Sequence, residues 1–276
     1  NPTSGTSPNA SGFWYYRGMN SWLGVAISFA FVFGVIGVAQ VLLKVGVFSA
    51  SVTRKVVHIG VAHWWLVAMA TLPSLEYALI GPIAFILINA VSYKTHIFKA
   101  MEHEVPTKNL GTVYFPVALT LLVLMTWGLG LPKWYGAVAI LVLGWGDGMA
   151  SLVGEHRPGI RFHLPGGRKS LNGTTSMFAF SWAAATATAV VAGVPMATAL
   201  AIGFIVAGFA TATELATPYG LDNISVPIVA LLVLSLLVEL PPFWIGRFAW
   251  AVGLNLALAL GAFFKRAVTP TGALTG

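Results

Sequence analysis

Nine apolar stretches, each near the about 20 residues that a helix needs to cross a bilayer, take up most of this chain. They run roughly over 20–43, 56–72, 76–93, 112–130, 134–153, 174–193, 196–216, 224–240 and 243–264. A backbone in hydrocarbon finds no water to bond, so only helices or a closed barrel can span. These runs lack the alternation, about ten residues at a time, of a barrel strand. The predicted fold is therefore all-α: a polytopic membrane protein of about nine transmembrane helices. Composition agrees, since charged residues make up 8% and hydrophobic ones 57%, against roughly 25% charged in an ordinary soluble domain. The third stretch is short and carries Pro82. Trp64, Trp65, Trp127, Trp134 and Trp244 lie near stretch ends and read as interfacial anchors.

The basic residues set the predicted orientation. With the N-terminus outside, the inner loops and the tail hold nearly all of them. Only Arg17, Lys133 and Arg247 of the fifteen Lys and Arg residues then fall outside. This is the positive-inside pattern, and it puts the C-terminus and every polar motif on the cytoplasmic side. The net charge of +7 is then a matter of topology and of attraction for anionic headgroups or nucleotides; no nucleic-acid partner is expected. The chain has no cysteine, which excludes a thiolate metal or redox site. The expected organisation is a flexible tail over 1–19, one transmembrane catalytic domain over 20–266 and a second tail over 267–276. Membrane lipids are the expected surroundings, with the site at the cytoplasmic face.

Four polar constellations interrupt the oil. In the first, Arg54 and His58 stand four residues apart and share a helix face, with Lys55 beside them. Basic flanks of spanning helices snorkel to headgroups, but His58 lies inside the apolar run. His63 reads as a satisfied core histidine. In the second, Asn109, Gly111 and Thr112 precede the fourth stretch; they suit a helix N-cap or backbone donors aimed at an anion.

The third constellation spans 144–176. Asp147 lies between Gly146 and Gly148 near the end of the fifth stretch, and Arg168, Lys169, Ser170, Asn172, Gly173 and Thr174 open the sixth. A carboxylate near an apolar segment end needs a cation or a hydrogen-bonded partner. The bland reading is an ion pair with Arg168 or another base. The sharper one is a metal ion, with the glycines letting a bulky ligand approach the backbone. Lys169 with Ser170 and Thr174 suits phosphate, although the spacing is not a Walker A motif. The Pro- and Gly-rich connection over 157–167 reads as an irregular loop. In the fourth, Glu214 ends the seventh stretch, and Asp222 and Asn223 open the eighth. Asp222 suits an N-cap, whereas Glu214 has no base near it in sequence. Asp147, Glu214 and Asp222 thus converge on one membrane face, a donor set for one or two Mg²⁺ ions carrying a nucleotide triphosphate.

Taken together and in order, these motifs resemble a family. Arg54-Lys55-x-x-His58, Gly146-Asp147-Gly148-x-Ala150-Ser151-x-x-Gly154, Lys169-Ser170-x-x-Gly173-Thr174, Glu214 and Asp222-Asn223-x-x-x-Pro227 are similar to those of the CTP-dependent lipid kinases. That group comprises dolichol kinase, the CTP-using diacylglycerol kinase and phytol kinase, all distant relatives of the phosphatidate cytidylyltransferases. The stretch from Leu164 to Phe178 looks most like phytol kinase. Asn172 departs from the pattern, standing where an acidic or small residue is expected. The cytidylyltransferase signature Pro-Gly-His-Gly-Gly, followed by Asp-Arg, is missing, which favours the kinase.

The resemblance implies transfer of the γ-phosphoryl group of CTP to the hydroxyl of a lipid alcohol, such as phytol, a polyprenol or dolichol. Asp147, Glu214 and Asp222 are then the expected Mg²⁺ ligands. Arg54, Lys55, Arg168 and Lys169 are expected to neutralise phosphate. Asn109, Gly111, Thr112, Gly146, Gly148, Ser170, Asn172, Gly173, Thr174 and Asn223 are the remaining expected nucleotide contacts. Asp147, Glu214 and His58 are candidate bases, and Lys169 completes the catalytic set. The alternatives are a cytidylyltransferase making a CDP-lipid, and a transporter with an ion path. A path should carry charge at mid-membrane, whereas these charges gather at segment ends.

Overall fold

A computed structural model describes residues 20–95, 111–164 and 167–264. The expected tails over 1–19 and 267–276 lie outside the described residues, as does Asn109. The described chain is nearly all helix, and each predicted apolar stretch falls on a helical rod. The first is α1 (Ser21–Lys44). The second is broken at His63 into α2 (Ala50–Ala62) and α3 (Trp64–Thr71). Next come α4 (Leu75–Thr95) and α5 (Gly111–Val123), the latter prolonged by a π-helical turn, Leu124–Gly128. The fifth rod is α6 (Lys133–Leu141), a π turn (Val142–Asp147) and α7 (Gly148–His156). The last four are α8 (Leu171–Val191), α9 (Met196–Ala216), α10 (Asp222–Val238) and α11 (Pro242–Phe264).

Four of these rods are long and apolar enough to cross a bilayer: Ser21–Lys44, Gly111–Gly128, Lys133–His156 and Met196–Ala216. Their outward faces are apolar too. Leu23, Phe33, Val38 and Val41 of α1 are exposed, as suits a membrane protein and not a soluble bundle.

Helix ends follow local chemistry. Asn20 caps α1 by accepting from the Trp22 amide at 2.9 Å, and Pro132 and Pro195 stand just before α6 and α9. At the core, Tyr135 through Leu143 is buried on every side, and α3, α5, α8 and α10 pack around this rod. With lipid as solvent, close packing replaces hydrophobic driving force between helices. A bare position accordingly stands where α8 meets α9: a Cβ on Gly203 would lie 3.2 Å from Trp182 Cδ1 and 3.0 Å from the Thr186 backbone nitrogen.

Two expectations change here. Trp64 and Trp65 are core residues, 2% and 0% exposed; each spends its indole N–H inside, on Ser28 Oγ and on the Lys133 carbonyl. Trp244, by contrast, is half exposed. The connection expected to be irregular holds an antiparallel pair, β1 (Arg161–Leu164) and β2 (Gly167–Ser170), with Arg161 opposite Ser170 and Phe162 opposite Lys169. The buried Leu164 side chain anchors it.

Candidate active site

The π turn brings Asp147 to the centre of the polar cluster. A π turn widens the helix by one residue and often marks a functional site. Here it lies between the buried end of α6 and the start of α7. Lys55 Nζ is 3.3 Å from Asp147 Oδ2, and His58 Nε2 is 3.6 Å from the same oxygen. The ion-pair partner is thus Lys55 of α2, not Arg168.

The hairpin places the second cation. Lys169, on β2, reaches Glu214 near the C-terminal end of α9 and forms an ion pair with it. Glu214 is 5% exposed, so a carboxylate there requires that partner. Burial pulls the Lys169 pKa down, but the carboxylates of Glu214, Asp222 and Asp147 outweigh it and hold the pKa above its ordinary value. Lys169 is therefore a cation throughout the neutral range. The next residue, Ser170, caps α8 by accepting from the Gly173 amide at 3.2 Å.

Asp222 opens α10 after a tight turn. Tyr219 adopts φ 60° and Gly220 φ 80° there, the first a strained value for a bulky residue. Asn223 steadies the turn, its Nδ2 donating to the Gly220 carbonyl at 3.0 Å and its amide N–H to Asp222 Oδ1 at 3.0 Å. Asp222 thus accepts from the very next residue, and no side-chain cap holds the helix. Each of Asp147, Glu214 and Asp222 offers a carboxylate oxygen within 4.8 Å of the other two. Such a set of hard oxygen donors fits Mg²⁺.

These groups line one end of a cavity of about 1040 Å³. Of the predicted residues, Arg54, Lys55, His58, Gly111, Thr112, Arg168, Lys169, Ser170, Gly173, Thr174 and Asn223 line it with the three acids. Gly146, Gly148 and Asn172 do not. A Cβ on Gly146 would strike Met177 Sδ at 2.7 Å, and one on Gly148 would strike Ile59 Cδ1 at 2.8 Å. These glycines serve helix packing, not ligand approach. Asn172 instead donates from Nδ2 to the Arg157 carbonyl at 2.8 Å, tying the chain before the hairpin to α8. His63 is satisfied as expected, its Nδ1 paired with the Ile59 carbonyl at 2.9 Å.

Sequence reasoning missed Asn89, Arg161, Thr217 and Tyr219, which also line the cavity, and had Ser151 only as part of the motif around Asp147. Asn89 had a signal, being a lone amide in an apolar run. The other end of the cavity is apolar and is walled by α1, α4 and α5 through residues such as Val32, Pro82, Phe85, Phe115 and Leu119.

The site can therefore gather acid, base and anion-binding groups beside an apolar space. A phytol kinase of Synechocystis sp. is 30% identical over 234 residues, covering 83% of this chain and 94% of that protein. No protein-family model matches the chain, and no solved structure matches it. The likeness runs through every element that carries the cluster, and the chain belongs to the CTP-dependent lipid kinase family, alongside phytol kinase.

Proposed function

We propose that the protein transfers the γ-phosphoryl group of CTP to the hydroxyl of a membrane-embedded prenol, phytol being the nearest candidate. The observation that carries this reading is the two-ended cavity. At one end are phosphate-compatible cations and three convergent carboxylates; at the other, hydrocarbon-compatible walls. A lipid alcohol can keep its chain in the apolar end and present its hydroxyl to a water-soluble nucleotide. On this reading all nine rods cross the membrane, the N-terminus is outside and the cluster faces the cytoplasm.

Phosphoryl transfer mostly needs positioning and charge neutralisation. Lys55, Lys169, Arg54 and Arg168 would hold the phosphates, and Ser170 and Thr174 would add hydroxyl donors. Asp147, Glu214 and Asp222 would hold Mg²⁺, which when bound offsets the negative charge of the nucleotide. The alcohol oxygen attacks the γ-phosphorus, the bond to the β-phosphate bridging oxygen breaks, and CDP leaves. The proton passes to His58 as the new bond completes. With the carboxylates engaged, His58 Nε2 is the adjacent basic atom that has no hydrogen bond among the described residues.

The test is an assay in liposomes with γ-labelled CTP, Mg²⁺ and a panel of phytol, geranylgeraniol, a polyprenol and diacylglycerol. Label is expected in a prenol. Label confined to diacylglycerol, or absent from every lipid with the protein shown to be folded, would contradict the proposal.

A further inference from the structure

The turn before α10 holds the one non-glycine residue at positive φ among the described residues, Tyr219 (φ 60°). Gly220 follows at φ 80°, and the Leu221 amide closes the turn by donating to the Pro218 carbonyl at 3.2 Å. Positive φ at both central residues marks a type I′ turn, whose first central position suits Gly, Asn or Asp. A tyrosine there strains its backbone. Packing could offset that strain, but the side chain is 65% exposed. Its ring and hydroxyl meet no hydrogen-bond, ring or cation partner among the described residues. Within the folded chain the residue therefore costs stability with no contact to offset it. Broken local rules of this kind gather at functional sites.

Tyr219 lines the cavity, together with Thr217, Gly220, Asp222 and Asn223 around the same turn. This is the polar end. Asp222 brings a carboxylate oxygen within 4.8 Å of those of Asp147 and Glu214, and Lys169 is paired with Glu214. The apolar end is walled by α1, α4 and α5, whereas Tyr219 joins α9 to α10. The hydrocarbon of a lipid alcohol thus has its seat elsewhere. An open aromatic face beside cations and convergent carboxylates suits a flat ring that arrives with phosphates. A nucleobase is such a ring, and every base has a π-face to offer.

We propose that the Tyr219 ring stacks on the base of the bound nucleotide. The presence of a nucleotide rests on the kinase reading above; the seat of its base is the further step. Asn223 Nδ2 holds the Gly220 carbonyl at 3.0 Å, so the backbone that carries the ring is set before the nucleotide arrives. Stacking tolerates any base. Tyr219 therefore sets how tightly a nucleoside triphosphate is held and leaves the choice among bases to hydrogen-bonding groups.

The test is binding without turnover, by calorimetry on protein in lipid nanodiscs with Mg²⁺ and no lipid alcohol. Tyr219→Ala should weaken CTP about ten-fold or more, the worth of one base–aromatic stack. Tyr219→Gly suits the same φ, keeps the turn and should show the same loss. Tyr219→Phe keeps the ring and should bind as wild type. Inorganic tripolyphosphate carries the phosphates without the base, and its affinity should not change in any variant. An equal loss for CTP and tripolyphosphate would mean that Tyr219 only shapes the phosphate end, and would overturn the proposal. So would a loss in Tyr219→Phe as large as in Tyr219→Ala, or CTP affinity unchanged in all three. If the wild type binds CTP in this ring-dependent way yet phosphorylates no lipid, the kinase reading fails and the base seat stands. If it phosphorylates a prenol while every variant binds CTP alike, the seat fails and the kinase reading stands.

Discussion

Asp147 shows how much a single carboxylate must do. It sits on the π turn, faces Lys55 and His58, and shares its space with Glu214 and Asp222. Asp147→Asn keeps the shape and removes the charge. Label transfer by this variant should fall at least about 100-fold, the scale of losing a charged group that acts in the transition state, with the protein still folded although the Lys55 ion pair is lost. Full turnover would remove Asp147 from the mechanism. Lys169 calls for a different test, because its partner Glu214 is buried. Lys169→Met strands that carboxylate and should destabilise the protein by about 3–5 kcal/mol. Adding Glu214→Gln should restore most of the loss, as read in a double-mutant cycle of unfolding; purely additive effects would mean that the two groups act independently. Residues of this kind were legible in the sequence because an acid or base inside an apolar run has to be explained. Asn89 was legible only as an oddity, since its partner is the Thr112 carbonyl on another helix, which Pro116 leaves free. Tyr219 carried no signal, because a positive φ at tyrosine is imposed by the turn around it.

At the level of elements, the periodicity and length of the apolar runs located every rod. Breaks within rods were not legible. No proline marks the step at His63, and the π turn that ends at Asp147 carries Gly144 and Gly146, whose bare faces pack on Ala62 and Met177. The hairpin was misread for a related reason. Its Pro and Gly residues suit irregular chain, but backbone pairing across β1 and β2 and the buried Leu164 hold it in register. The glycines of the Asp147 motif were read as ligand contacts, although their bare faces accept Met177 and Ile59. Gly173 belongs to the same category of close packing. A Cβ there would lie 2.9 Å from both the Ala150 carbonyl oxygen and Ser170 Oγ, so α7 and α8 would have to part. Gly173→Ala should lower stability by about 1–3 kcal/mol, the usual range for overpacking, and should slow transfer by shifting Lys169 and Ser170. A variant with a wild-type melting curve would mean that the two helices have room to spare.

The described residues form a helical bundle around a two-ended cavity, and the topology can be probed because the chain has no cysteine. Leu129 is 79% exposed at the turn before α6, and Arg157 is exposed just after α7. In intact cells an impermeant maleimide should label Leu129→Cys and spare Arg157→Cys until the membrane is opened. The reverse order would invert the proposed orientation and place the site on the wrong side for a cytoplasmic nucleotide. The central claim concerns which phosphorus the lipid receives. The most direct measurement supplies phytol in proteoliposomes with CTP labelled at the γ-phosphorus in one sample and at the α-phosphorus in another. Kinase chemistry predicts γ-label in the lipid and α-label in CDP. α-Label in the lipid, with pyrophosphate released, would contradict it and give the same cluster to cytidylyl transfer.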